Sequence, residues 1–171
     1  MIMETIKNRR SVRKYKENAV PKEKIKALLE AAMYAPSACN SRPWRFVAIT
    51  NRDILNKLAD IHPFAKMLLQ APVAIVICAL AEEQSQNKIA EGFYPQDCAA
   101  ATQNILLAAQ EMGLGSCWCG VYPKEQLIPK VRDILRLPKD EIPFNIIAIG
   151  ESEDTPKTKG FYEIEKVRWM E

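Results

Sequence analysis

Several common kinds of chemistry are missing from this chain of 171 residues. Histidine occurs once, as His62 in Ile61-His62-Pro63. A Ser–His or Cys–His nucleophile would rest wholly on that residue, and a lone His ahead of proline reads as a loop residue. The five cysteines, Cys39, Cys78, Cys98, Cys117 and Cys119, are odd in number and mostly set among apolar neighbours. They read as free buried thiols of a reducing cytoplasm. Cys117-Trp118-Cys119 has no second spaced pair, so a zinc knuckle is excluded. The longest uninterrupted apolar run, Ala71 to Ala81, is too short to span a membrane. The N-terminus carries no apolar signal core, so export is not expected. Net charge is only +3, too little to imply a polyanion by itself.

What is present points to one soluble domain over residues 1–171, 48% hydrophobic and 26% charged. The basic residues are unevenly placed: Lys7 to Lys26 holds nine Lys or Arg against two Glu. Arg9, Arg10 and Arg13 supply forked donors that suit phosphate oxygens, and Ser11 can add a hydroxyl. That asymmetry calls for an anion nearby, either a phosphate ligand or nucleic acid.

Periodicity predicts a short helix over Ile2 to Asn8 and a second after Pro21, with Ile25, Leu28, Leu29, Ala32 and Met33 on one face. Pro36 to Pro43 is a loop by composition. Trp44 to Thr50 reads as a strand, and Asn51 as the cap of the helix that follows. Phe64 to Gln70 is a further short helix. Val73 to Leu80, apolar on both faces, reads as a central strand. Ala81 to Phe93 reads as polar and irregular, a segment suited to lie over a site. Asp97 is expected to cap the longest helix, Cys98 to Met112, which is apolar over most of its girth and suits a core or a subunit interface. Gly113 is its left-handed end. Gly113-Leu114-Gly115 fails as a dinucleotide fingerprint, because a helix precedes the glycines and a strand, Ser116 to Val121, follows. Pro123 to Leu135 reads as helical with a break at Pro129. Phe144 to Gly150 is another strand. Trp44 and Trp118 are expected in the core, whereas Trp169 and Met170 in the polar tail need something to dock on.

Four separated stretches form one pattern: Arg9-Arg10-Ser11-Val12-Arg13, Pro36 to Trp44, Gly113 to Gly120, and Pro156-Lys157-Thr158-Lys159. In order and spacing the whole chain resembles the nitroreductase family of flavin-dependent oxidoreductases. The resemblance implies an α+β fold with a mostly antiparallel sheet flanked by helices. It also implies an intertwined homodimer, with C-terminal segments exchanged and two FMN molecules at the interface. Carried over by position, Arg9, Arg10, Ser11 and Arg13 match the family's first flavin-binding motif: Arg9 would hold the phosphate, Ser11 the phosphate or ribityl chain, and Arg13 would lie near the ribityl or pyrimidine side, with Lys157 and Lys159 facing the phosphate. Pro36, Ser37, Ala38 and Asn40 would be lent to the isoalloxazine ring by the partner. Cys119 and Gly120 would aim backbone amides at flavin N5 and O4, and Lys66 would be the cation near N1 and O2. The Asn that some relatives place at the pyrimidine edge has no match here; Pro63 falls nearest. NAD(P)H would deliver hydride, and a small acceptor such as a nitroaromatic or quinone would collect it. Two alternatives stay open: enal or enone reduction or dehalogenation on the same fold, and a basic module for anions or nucleic acid without catalysis. The latter lacks any nucleic-acid motif, and its aromatics do not interleave with the basic residues.

Overall fold

The computed structural model describes residues 2–154, 157 and 160–171. Among them, β1 (Trp44–Ile49), β2 (Val73–Ala79), β3 (Gly115–Gly120) and β4 (Ile142–Gly150) form an antiparallel sheet in the order β1-β2-β4-β3. Composition explains the order. Every residue of β2 is buried, as is all of β4 after Ile142, so these two take the interior positions. Continuous apolar runs are usual in parallel sheets, but here helices cover both faces of an antiparallel one.

On one face, α3 (Arg52–Ile61), α6 (Ile128–Leu135) and the 3-10 turn Lys66–Leu69 pack against Val76, Cys78, Cys117, Cys119, Ile146 and Ala148. On the other face, α2 (Lys22–Met33) and α5 (Tyr94–Glu111) cover Val73, Ile75, Ile77, Ile147 and Ile149. The alternating parity of these residues is the strand period of two. α1 (Ile2–Asn8) lies against α5. Two expected terminators are in place. Asn51 accepts a bond from Ile54 N at 3.1 Å. Gly113, at φ 73°, ends α5 with the paired bonds Gly113 N to Gln110 O and Leu114 N to Ala109 O.

Other expectations need correction. α5 begins at Tyr94 with Pro95 in its first turn, so Asp97 lies inside the helix and caps nothing. Its buried carboxylate is occupied by distant partners instead. The polar stretch after β2 is irregular only from Gln86 onward, where turns follow: it opens with α4 (Ala81–Ser85), which buries Gln84. Pro129 sits in the first turn of α6 and breaks nothing, since the residues before Ile128 form turns. Trp44 is buried, but Trp118 is 38% exposed because β3 is an edge strand. Trp169 and Met170 dock nowhere on their own chain, at 75% and 88% exposed.

Candidate functional site

The free edge of β3 is where the basic segment lies. Ser11 bridges Ser116 in parallel, and Val12 N donates to Ser116 O at 2.9 Å. The approach is close enough that a Cβ on Gly115 would meet the Val12 side chain at 2.8 Å, so this position requires glycine. Farther along, the buried Tyr15 hydroxyl shares its proton between Val12 O at 2.9 Å and Ala148 O at 3.2 Å. Lys16 N donates to Glu151 O, and Glu153 N to Lys14 O. The segment is thus stitched to the sheet by backbone, which leaves its side chains for other work.

Arg10 spends two donors inside the protein. Nε reaches Lys157 O at 2.9 Å, and Nη1 reaches Arg9 O. The first bond brings Lys157 from the far end of the chain to the N-terminal cluster. Lys159 lies outside the described residues. Among the described residues, Arg10 Nη2 is buried without a hydrogen-bond partner. Lys14 and Lys16 face carboxylates of Asp154 and Glu151 at 3.9 and 3.8 Å. Arg9, Arg10, Arg13, Lys66 and Lys157 have no such ion pair among the described residues.

Beside this cluster is a cleft of about 430 Å³, lined by Arg13, Pro63, Phe64, Lys66, Cys117 and Trp118, a size that suits a small-molecule site. The direction of the β3 backbone toward it follows from pairing. Val121 N bonds Phe144 O, and Cys119 stands opposite Ile146. By the antiparallel alternation, Cys119 turns its N–H into β4, whereas Ser116, Trp118 and Gly120 turn theirs to the open edge. Of Cys119 and Gly120, Gly120 is the one whose backbone N–H faces outward, and that of Trp118, a residue expected in the core, faces outward with it. A Cβ on Gly120 would find no atom nearer than Tyr122 O at 4.0 Å. Nothing within the chain itself demands a glycine there.

The two thiols of β3 are buried on the opposite side of the strand from Trp118. Cys119 Sγ lies 3.5 Å from Phe64 O and 3.8 Å from Met67 Sδ. The neighbouring Cys119 thiol, helped by Arg13 and Arg9, lowers the Cys117 thiol to about 7 against the opposing effect of burial. The adjacent Cys117 thiol and burial push the Cys119 thiol up. His62, expected to be a plain loop residue, is buried and touches Gly120 O at 2.9 Å.

Pro36, Ser37, Ala38 and Asn40 lie elsewhere, at the start of β1. Cys39, Asn40 and Arg42 all have left-handed backbones, at φ 50°, 53° and 51°. Each such residue costs on the order of 1 kcal/mol and persists only when its surroundings hold it. Here the hold is polar. Ala38 N donates to Asp97 Oδ1 at 3.0 Å, and Gln84 Nε2 reaches Asp97 Oδ2 at 2.7 Å and Ser41 Oγ at 3.0 Å. Ser37 Oγ accepts from Arg42 N at 2.9 Å. β1 and β3 are opposite edges of the sheet, three strand spacings or about 14 Å apart. One chain does not bring this loop to the basic cluster.

A family model described as "Nitroreductase family" matches residues 6–62 and 62–151. The chain belongs to the nitroreductase family. A relative from Methanothermobacter thermautotrophicus, named "Putative NADH dehydrogenase/NAD(P)H nitroreductase", is 43% identical over 97% of this chain and 85% of its own length. A crystal structure of a protein of the same name from Parabacteroides distasonis superimposes with a TM-score of 0.92 at 42% identity, covering 98% of this chain and 96% of that one. Another, described as "a putative nitroreductase in complex with fmn" from Desulfovibrio desulfuricans, gives 0.83 at 27% identity, over 99% and 96%. The nitroreductase cleft fits FMN on its own evidence. Arg13 and Lys66 line it without an ion pair among the described residues, Arg10 near the β3 edge keeps one buried guanidinium nitrogen without a described partner, and that strand edge offers backbone donors.

Proposed function

We propose that the chain is an FMN-dependent oxidoreductase of the cytoplasm, a single flavin-binding domain over residues 1–171. It draws reducing equivalents from NAD(P)H and passes them to a small acceptor such as a nitroaromatic or quinone. A bound flavin supplies hydride acceptance and two-electron storage, and the protein supplies position and electrostatics. Arg9, Lys157 and Lys159 hold the phosphate, with Ser11 on the phosphate or ribityl chain and Arg13 near the ribityl or pyrimidine side. Arg10 orders this group through its bond to the Lys157 carbonyl. Gly120 N–H meets the N5 and O4 side of the ring. Lys66 places a positive charge at the N1 and O2 side, which favours added electron density. No side chain is needed as an obligatory acid or base.

The observation that carries this reading is the splitting of the site. The cations that have no ion pair among the described residues stand at one edge of the sheet, and the strained loop Ser37 to Arg42 stands at the other. A second copy closes the gap by bringing its own loop to the first copy's cleft. The tail supports the same arrangement, because Phe161, Tyr162, Ile164, Trp169 and Met170 are all strongly exposed on the lone chain. Such a row of apolar side chains suits an arm wrapped around a partner.

Purified protein tests this directly. The expected result is a yellow dimer with one FMN per chain, bleached anaerobically by NADH or NADPH and recoloured by a nitroaromatic or quinone. Faster recolouring by an enone or a halogenated aromatic would transfer the acceptor class and leave the rest. A colourless protein that takes up no FMN, but binds oligonucleotides with a steep salt dependence, would overturn the reading.

A further inference from the structure

His62 is 2% exposed and ends α3, where its N–H donates to Leu58 O at 3.2 Å. Its ring is used at both nitrogens. Phe64 N donates to Nδ1 at 3.2 Å, so Nδ1 carries a lone pair. Nε2 lies 2.9 Å from Gly120 O, and a carbonyl only accepts, so Nε2 carries the proton. These two contacts select one neutral tautomer. The turn that begins at His62 runs straight into the Lys66 turn, with Ala65 N donating to His62 O at 3.1 Å. A weaker tie from Cys119 Sγ to Phe64 O runs alongside.

The two groups joined in this way stand on unrelated elements. Gly120 is the last residue of an edge strand, and Lys66 opens a single 3-10 turn that no sheet bond restrains. We propose that His62 is a positioning residue that fixes the Lys66 turn against the Gly120 backbone, and so tunes a flavin held between the Lys66 side chain and that backbone. This rests on the flavin reading above. A donor on one side of the ring and a cation on the other both favour the reduced state, and both effects fall steeply with misplacement. The phosphate grip lies with Arg9 and Lys157, on elements that His62 does not touch. Tuning and affinity are therefore separable.

The test compares His62→Gln with His62→Met, residues of similar bulk. The Gln amide can donate to Gly120 O, and the Met thioether cannot. In FMN-loaded protein, His62→Met is expected to change the preference for reduced over oxidised flavin about tenfold, or about 30 mV for a two-electron couple. Flavin reduction by NAD(P)H should slow by about tenfold. His62→Gln should recover most of both effects, and the Kd for FMN should stay within about threefold in either variant. Potentials and reduction rates that are equal in wild type, Gln and Met, even with a lowered Tm in Met, would mean that His62 only fills space. In flavin-free protein, ¹⁵N-histidine NMR reads the single imidazole directly. An Nε2-protonated ring supports the tie to Gly120, and an Nδ1-protonated ring overturns it. Wild-type protein that takes up no FMN overturns the flavin reading and the tuning role with it, while the tautomer still judges the tie.

Discussion

The two edges of the sheet carry very different kinds of preparation. At β3, the segment from Arg9 to Lys16 has no left-handed residue and is held by backbone bonds to Ser116 and Glu151. Its function lies in charge. At β1, the loop from Ser37 to Arg42 holds three left-handed residues, kept in place by one buried carboxylate and one buried amide. Its function lies in shape. A phosphate is bound well by cations that can adjust around it, whereas the flat face of a ring needs a surface set in advance. In the proposed dimer, each site joins the adaptable half of one copy to the rigid half of the other.

The strongest way to break this comparison is to remove residues 161–171. With the exposed apolar tail gone, light scattering should report monomer, and FMN should be lost, because neither half holds the ring alone. A truncated protein that stays dimeric and yellow would show that the halves need no exchanged arm. Next in size is Gly120→Val. The open space beside Gly120 means the fold tolerates the new side chain, so circular dichroism should be unchanged. A ring displaced by about 1 Å should be reduced on the order of a hundredfold more slowly. An unchanged rate and affinity would remove the ring from Gly120.

Arg9→Ala sharpens the comparison from the adaptable side. Loss of a charge-assisted bond of roughly 1.5–3 kcal/mol should weaken FMN about tenfold or more, while riboflavin, lacking the phosphate, is unaffected. Asp97→Asn does the same from the rigid side, with the smallest effect. The amide can still accept from Ala38 N, and the unpartnered Gln84 Oε1 can accept from the new NH₂ group. A loss of about 1 kcal/mol or less is expected from the weaker, uncharged bond. It should fall equally on FMN and riboflavin, because it acts at the ring. Titration of both ligands against both variants separates the halves; a phosphate-selective loss in Asp97→Asn would dissolve the distinction.

What the sequence disclosed follows the same division. Charge and continuous apolarity are local signals. The Arg9 to Arg13 cluster, the buried run of β2, the Asn51 cap and the Gly113 turn all stand where composition and periodicity put them. The residues that were misread act over long separations. Asp97 has the residue type and place of a helix cap, yet its partners are Ala38 and Gln84. His62 ahead of proline has the look of a loop residue, yet its ring ends on Gly120, 58 positions away. Gln84 sits in a stretch polar enough to seem irregular and is buried all the same. A side chain that satisfies a distant backbone group leaves no period and no charge run behind it. The outward turn of Trp118 and Gly120 was within reach, since the strand alternation follows once β4 is known to pair on one side only.

The edge of β3 carries one further consequence. Val12 covers it at Ser116 and His62 takes the Gly120 carbonyl, which leaves the backbone of Trp118 and the Gly120 N–H as an open stretch of strand edge. Open N–H and C=O groups on an edge strand invite another strand to add. In the proposed site, a flavin seated along that stretch would also be a plug against aggregation. Chains made when the cofactor is scarce should cloud in solution before they unfold, and turbidity on stripping the flavin from the intact protein would measure how far the ligand guards the fold that binds it.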